Sequence, residues 1–255
     1  MEYPAVFLFG LILGSFLNVC IYRIPLNRSI VWPPSACPFC EEKIKWYDNI
    51  PVLSYLALGR KCRGCGHPIS PRYAIVELLT AFTGMGLLSI FSLTPEFFVY
   101  WIFSAMLIIV VFVDIEYQEI PDVVSLPGVV VGLILMTVLR LDGSATYAGS
   151  FFDSLLGILA GGGSMFLLGV IGELIFRKEA LGGGDVKLMA MIGAFLGWKL
   201  VIVTFFMAPF FGSVAGLIMK FKFKKDIIPY GPYLALAAII SLIFGERIIG
   251  FYFGF

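Results

Sequence analysis

The sequence predicts an all-α polytopic membrane protein with about eight transmembrane helices and a small zinc-ribbon-like loop domain. Three observations support this fold class: the 255-residue chain is 60% hydrophobic, apolar runs of helical length recur along it, and a long polar loop carries two CxxC motifs. Only 14% of the residues are charged, which is too little polar surface for a soluble domain of this size. The lipid bilayer is therefore the expected environment.

The apolar runs predict where the helices lie. A hydrocarbon core of roughly 30 Å requires about 20 apolar residues per helix. Such runs occur near residues 4–22, 73–92, 97–114, 123–139, 153–176, 188–198, 200–219 and 231–253. The run at 188–198 is short and contains glycine, so six or seven spans with a re-entrant segment are the alternative to eight.

The distribution of Lys and Arg predicts the orientation, because these residues gather in cytoplasmic loops. With eight spans and an external N-terminus, 15 of the 18 basic residues fall in cytoplasmic segments. Both termini are therefore expected outside. The first run lacks a basic region before it and a small-residue cleavage site after it, so it is expected to be a retained span. The net charge of +1 argues against nucleic acid as a partner.

Composition divides the chain at about residue 72. Residues 1–22 are expected to form the first transmembrane helix, residues 23–72 a cytoplasmic four-cysteine domain, and residues 73–255 a transmembrane domain of closely joined helices. No convincing internal repeat is apparent. The glycines at 161–163 are expected to serve helix packing, because small residues let membrane helices approach closely.

The cytoplasmic loop contains two CxxC motifs separated by 21 residues, with the four thiols on Cys37, Cys40, Cys62 and Cys65. This spacing is close to the zinc-ribbon pattern, in which four thiolates bind a structural Zn²⁺. A disulfide pair is disfavoured in a reducing compartment, whereas a redox role for one CxxC stays open. Cys20 is expected to pack in the first helix, and His67, the only histidine, is expected to be a solvated loop residue that could replace a thiolate.

Acidic residues at the ends of apolar runs are the second chemical signal, because charges near membrane depth are costly and often functional. Asp114 ends one run, and Asp185 follows three glycines just before another. Two carboxylates in a partly dry site share a proton, so one can activate water while the other protonates a scissile carbonyl. The glycines before Asp185 would allow the backbone to approach closely.

The residues alone leave alternatives to this catalytic pair. Asp114 could be a polar helix end and Asp185 an N-cap. Glu116, Glu119 and Asp122 compete as catalytic partners. The acids Glu77 and Glu173 lie within apolar runs and are expected to form hydrogen bonds between helices or to mark helix ends.

Several motifs, in order along nearly the whole chain, resemble the bacterial type IV prepilin peptidase family. They are residues 14–19 with 22–25, 35–40, 48–55, 72–81, Asp114 with 120–122, 182–187, and 228–233. The segment 182–187, with Gly182, Gly184, Asp185 and Lys187, resembles the GxGD motif of that family.

The resemblance implies an aspartic endopeptidase of the bacterial inner membrane with Asp114 and Asp185 as its dyad and Asp122 as a nearby acid that the chemistry does not require. It implies that the substrates are type IV prepilins or pseudopilins, cut at the cytoplasmic face. Members with the four-cysteine domain also N-methylate the new N-terminus with S-adenosylmethionine. Lys61, beside Cys62, is a weak candidate for methyl transfer. The remaining alternatives are a GxGD protease without methyltransferase activity and a zinc-stabilised membrane scaffold.

Overall fold

The computed structural model describes residues 2–141, 151–177, 181–218, 221 and 229–253. Five of the basic residues that predict the orientation lie outside the described residues: Lys178, Lys220, Lys222, Lys224 and Lys225. Ile228, from the motif at 228–233, also lies outside them. The α-helices are α1 (Glu2–Arg23), α2 (Leu53–Ala57), α3 (Arg72–Phe91), α4 (Pro95–Tyr117), α5 (Asp122–Leu141), α6 (Phe151–Phe176), α7 (Gly183–Ile218) and α8 (Gly231–Phe253). Within these ranges there is no strand, and β-pairing is limited to isolated bridges.

Seven of the described helices are long and apolar enough to cross a membrane, namely α1 and α3 to α8. The predicted fold class is confirmed: the chain is an all-α, multi-pass membrane protein. The apolar runs at 4–22, 73–92, 97–114, 123–139, 153–176 and 231–253 each correspond to one helix. The runs at 188–198 and 200–219 both fall in α7, which accounts for the difference between seven spans and the predicted eight.

Helix α7 consists of two helical segments that meet at Gly197, whose φ of 75° and ψ of 175° are not helical. A straight helix of 36 residues would measure about 54 Å, well beyond a hydrocarbon core. The second segment instead runs antiparallel to α8, because Leu200 contacts Gly245 while Gly212 contacts the ring of Tyr230 just before α8. The sequence thus predicted the separate segments correctly, and the short first segment, 183–196, spans only about 21 Å.

Residue contacts divide the chain into two units, residues 1–109 and 110–255, and α4 runs from one into the other. In the first unit α1 packs closely on α3. A Cβ atom on Gly10 would lie 2.5 Å from the Cα of Ala81, and one on Gly14 would lie 2.6 Å from the Cα of Glu77. Only glycine at these two positions permits this approach. The four-cysteine segment, residues 24–71, connects the two helices.

In the second unit α6 packs on the first segment of α7. A Cβ atom on Gly157 would collide with the carbonyl of Gly193, and one on Gly161 would collide with the carbonyl of Met189. The packing role expected for residues 161–163 is therefore confirmed at Gly161. The core beneath consists of fully buried apolar side chains on α7, including Met189, Met191, Ile192, Phe195 and Leu196. This packed core supports the N-terminal end of α7, where Asp185 lies.

Candidate active site and metal centre

Asp114 lies in the last turn of α4 and is only 5% exposed. Its Oδ2 atom accepts a 2.8 Å hydrogen bond from the backbone N–H of Gly231, the first residue of α8. The free N–H groups at a helix start and the helix dipole both favour an acidic partner. A Cβ atom on Gly231 would lie 2.7 Å from Oδ2, so glycine is required for this contact. The sequence gives no local sign of it, because 117 positions separate the two residues.

Asp185 lies in the first turn of α7, and its backbone N–H donates to the carbonyl of Gly182 at 3.1 Å. The glycines before it have different neighbours. A Cβ atom on Gly182 would lie 3.3 Å from Oδ2 of Asp185, and one on Gly184 would lie 2.8 Å from the Cβ of Ile120. Gly183 has open space. The Gly-x-Gly spacing thus lets the loop pass between the carboxylate and the start of α5.

Asp114 and Asp185 line the same cavity, which measures about 730 Å³ and is open to solvent on one side. The cavity also exposes Glu119 and Asp122, with Ile120 and Tyr230 as less polar walls. A pair of facing carboxylates can share one proton, activate a water molecule and protonate a carbonyl oxygen, which is the chemistry of aspartic peptidases.

Asp122 is engaged elsewhere. Both of its carboxylate oxygens accept 2.7 Å hydrogen bonds from Nζ of Lys187, which lies half a turn after Asp185 on α7. The pair is largely exposed and joins the start of α5 to the start of α7. Asp122, one of the three acids that competed with Asp185 as partner of Asp114, is thus held in an ion pair with Lys187. Glu119 faces the cavity, and Glu116 is exposed on α4.

Tyr230 borders the cavity directly before α8. Burial, together with the nearby negative charge of Asp185, raises the pKa of Tyr230 to about 12. The phenol therefore stays neutral over the physiological pH range and keeps its O–H donor next to the carboxylates. Sequence reasoning assigned no role to Tyr230 or Gly231. The available signals were the resemblance of residues 228–233 to a family motif and a glycine between Pro229 and Pro232 at the start of an apolar run.

The four cysteines of the two CxxC motifs form one cluster. Their Sγ atoms all lie within 4.8 Å of one another, with Cys37 and Cys65 at 3.9 Å and Cys40 and Cys62 at 4.0 Å. Four thiolates about 2.3 Å from a central metal ion in a tetrahedron would lie about 3.8 Å apart. The cluster therefore fits a four-coordinate metal ion.

The two CxxC motifs have the same backbone hydrogen bonds, displaced by 25 residues. In each motif the first cysteine donates its N–H to the carbonyl five residues later, Glu42 or His67. Four residues after that cysteine, Glu41 and Gly66 both have positive φ and donate back to its carbonyl. The four-cysteine segment thus contains a short structural repeat, which corrects the expectation of no internal repeat. Side chains differ at most positions, so the sequence did not reveal it.

Four other residues singled out in the sequence belong neither to the thiol cluster nor to the lining of the carboxylate cavity. His67 stacks on Phe39 and is not part of the thiol cluster. Lys61 is exposed and pairs through its backbone with Pro68, so its role in methyl transfer stays a prediction. Cys20 is buried within α1, and Glu173 is exposed on α6.

Comparisons with known proteins match both parts of the chain. The family model "Bacterial Peptidase A24 N-terminal domain" matches residues 8–91, and "Type IV leader peptidase family" matches residues 101–217. A Pseudomonas aeruginosa protein named "Prepilin leader peptidase/N-methyltransferase" is 34% identical, over 97% of this chain and 92% of its own length. The chain belongs to the type IV leader peptidase family. Proteins of the same name from Bacillus subtilis and Myxococcus xanthus are 36% and 42% identical.

The coverage of these leader peptidase relatives differs. The match to the Bacillus subtilis protein covers 97% of this chain and 96% of that protein, whereas the match to the Myxococcus xanthus protein covers 84% of this chain and 63% of that protein. The N-terminal family model includes all four cysteines, and the leader peptidase model includes Asp114 and Asp185. No solved structure matches the chain.

Proposed function

We propose that this leader peptidase cleaves the leader from type IV prepilins or pseudopilins with Asp114 and Asp185 as its catalytic dyad, and that it then N-methylates the new N-terminus. One observation carries the peptidase assignment: two carboxylates from distant parts of the sequence open into a single cavity. The printed names of the relatives support the substrate class and the second activity.

In the proposed proteolytic step the dyad holds one proton between two carboxylates. The ionised carboxylate takes a proton from a water molecule as the water oxygen attacks the scissile carbonyl carbon. The protonated carboxyl donates to the carbonyl oxygen, and a proton then passes to the leaving nitrogen as the C–N bond breaks. The Gly231 N–H orients the Asp114 carboxylate, while the open space at Gly183 leaves room near Asp185 for an extended substrate backbone.

The ion pair of Asp122 with Lys187 supports the choice of Asp185, and not Asp122, as the partner of Asp114. Its carboxylate is held by Lys187, so we propose that Asp122 and Lys187 position the starts of α5 and α7 and do not exchange protons with substrate. Glu119 remains at the cavity edge as an acidic group available to a basic leader.

For the four-cysteine segment we propose that Cys37, Cys40, Cys62 and Cys65 hold a structural zinc ion. Sulfur is the donor that zinc prefers at closed four-coordinate sites, and a segment in which few side chains are buried gains its shape from such a site. S-adenosylmethionine is the proposed methyl donor, and it supplies a methyl group on a sulfonium that an amine nitrogen can take. The division into residues 1–22, 23–72 and 73–255 remains a prediction.

We further propose that the protein lies in the bacterial inner membrane with its four-cysteine segment and catalytic aspartates facing the cytoplasm. The support is the one-sided distribution of Lys and Arg. A prepilin with an apolar helix in lipid and a basic leader in the cytosol would then present its cleavage site at the level of the dyad.

The experiment is to incubate the purified full chain with a purified prepilin and S-adenosylmethionine in detergent, and to record product masses. Loss of the leader together with a single added methyl group is the expected result. A product that is shortened without methylation would remove the methyltransferase part of the proposal. A substrate that keeps its leader would remove the peptidase part.

A further inference from the structure

A second cavity, of about 140 Å³, lies in the first unit between α1, α3 and the four-cysteine segment. The lining residues from α1 are three or four positions apart, as are Tyr73 and Glu77 from α3, so each set lies on one face of its helix. The polar side chains from these two helices are Ser15, Asn18, Tyr22, Arg23, Tyr73 and Glu77. The peptidase mechanism uses none of them.

Asn18 presents an unpartnered acceptor in this cavity. The side chain is 3% exposed, and its amide nitrogen donates to the carbonyls of Gly14 at 3.3 Å and Tyr73 at 3.0 Å. Because both of those partners are acceptors, the amide must turn its nitrogen toward them, which assigns the oxygen to the other side. That oxygen, Oδ1, is buried without a hydrogen-bond partner. A buried orphan acceptor is costly and calls for an ordered water, a donor or a cation.

Glu77 supplies a carboxyl group to the same cavity and is 7% exposed. Its Oε2 accepts a 2.8 Å hydrogen bond from the N–H of Val52, and Ser15 donates a further hydrogen bond to the carboxyl group. Val52 holds a φ of 60°, which is a rare conformation for a β-branched residue. The close approach at Gly14 brings this carboxyl group against α1. The backbone is therefore shaped to orient the Glu77 side chain.

The charged groups nearby are already occupied. Arg23 lines the cavity, but its guanidinium donates to the carbonyls of Ser29 at 2.9 Å and Pro33 at 2.7 Å. Asp48 also lines it and forms a two-point ion pair with Arg63, at 2.8 and 2.6 Å. What the cavity offers a ligand is thus the Glu77 carboxyl group and the Tyr22 ring, with the Asn18 amide in its wall. The rings of Tyr73 and Tyr55 already lie beside Arg72 and Arg60. Carboxylates and aromatic rings together bind onium cations.

We propose that this cavity, with Asn18 and Glu77 as its polar contacts, binds the reacting onium cation of the methyl-transfer step. The inference rests on the proposed methyltransferase function. Two reactants carry such a cation: the methyl donor at its sulfonium and the cleaved peptide at its terminal ammonium. The cavity is small beside the several hundred Å³ of typical whole-ligand sites, so it takes the reacting end alone. A neighbouring cavity of about 610 Å³, which shares the Tyr22 and Arg23 walls, has room for the remainder.

The test measures binding of two donor analogues to the detergent-purified full chain. Sinefungin carries a protonated amine where the donor has its sulfonium, whereas S-adenosylhomocysteine has a neutral thioether there. Glu77→Gln should weaken the binding of sinefungin by about tenfold or more, because the charged partner of its amine is lost. The affinity for S-adenosylhomocysteine should change little. Asn18→Ala should change binding in the same sense but less. Glu173→Gln, an exposed acid on α6, is the matched control and should bind as wild type does.

A second arm measures the KM for a pre-cut peptide with a free N-terminus. A loss of sinefungin affinity assigns the cavity to the donor sulfonium, and a raised peptide KM assigns it to the peptide ammonium; either result supports the onium site. Prepilin cleavage by each variant shows that the chain is folded. The inference would be overturned if Asn18→Ala and Glu77→Gln both kept the wild-type sinefungin affinity and the wild-type peptide KM. It would also be overturned if the variants lost affinity for sinefungin and S-adenosylhomocysteine equally. If wild type binds neither analogue, the methyltransferase proposal itself fails.

Discussion

Replacing Gly231 by alanine tests whether the start of α8 positions the proposed nucleophile-activating carboxylate. The new Cβ atom would lie 2.7 Å from Oδ2 and 3.3 Å from Cγ of Asp114. Real Cβ contacts begin near 3.0 Å and are comfortable near 3.4 Å, so the carboxylate or the helix start must retreat by about 0.3 to 0.7 Å. Gly231 does not have a positive φ, so the effect arises from this contact and not from backbone strain.

The magnitude follows from the hydrogen bond that the retreat weakens. The Gly231 N–H bonds Asp114 at 2.8 Å, and hydrogen bonds to charged groups contribute about 1.5 to 3 kcal/mol. Since each 1.36 kcal/mol corresponds to a factor of ten in rate, kcat should fall between about tenfold and a hundredfold. The KM for prepilin should change little, because Gly231 is proposed to act through Asp114.

The assay is steady-state cleavage of a purified prepilin in detergent, with the Tm of each variant measured in parallel. Gly163→Ala is the matched control, because a Cβ atom there meets nothing within 4 Å. It should cleave at the wild-type rate. A Gly231→Ala variant that folds and retains more than half of the wild-type kcat would refute the positioning role of α8.

Three further predictions concern other parts of the account. Asp122→Asn should reduce cleavage by less than about fivefold, because an exposed ion pair contributes about 0 to 1 kcal/mol; complete loss in steady-state assays would instead place Asp122 in the dyad. Cys62→Ser should lower the bound zinc below one ion per chain and make residues 24–71 sensitive to limited proteolysis, whereas metal content equal to wild type would contradict the four-thiolate site. With its pKa raised to about 12, Tyr230 is protonated throughout pH 5 to 10, so Tyr230→Phe should leave the shape of the pH–rate profile in that range unchanged; disappearance of an alkaline limb would contradict this.

Hydropathy predicted most of the fold, because each membrane-spanning helix needs an apolar run long enough to cross the lipid. It also predicted the two segments of α7 as separate runs, but a re-entrant segment stayed open as an alternative because the first run is short and contains glycine. The thiol cluster was predictable from spacing, because two CxxC motifs are a local pattern. The matching hydrogen bonds of the two motifs were not, because they depend on backbone geometry that different side chains can share.

The proposed dyad shows where sequence reasoning reaches its limit. Residue chemistry left Glu116, Glu119 and Asp122 open as partners of Asp114, and only family resemblance favoured Asp185. In the structure Asp114, Asp185, Glu119 and Asp122 all line one cavity, and the ion pair with Lys187 distinguishes Asp122 from Asp185. The contact from Gly231 to Asp114 depends on tertiary packing across 117 positions, which no local pattern reports.

The dyad is tested most directly by Asp114→Asn and Asp185→Asn, each given intact prepilin and, separately, a pre-cut peptide with S-adenosylmethionine. The account predicts that neither variant cleaves prepilin, while both still methylate the pre-cut peptide. Asparagine preserves the shape of each side chain and removes its ability to share a proton. Cleavage by either variant at a rate near wild type would contradict the account and remove that aspartate from the catalytic site.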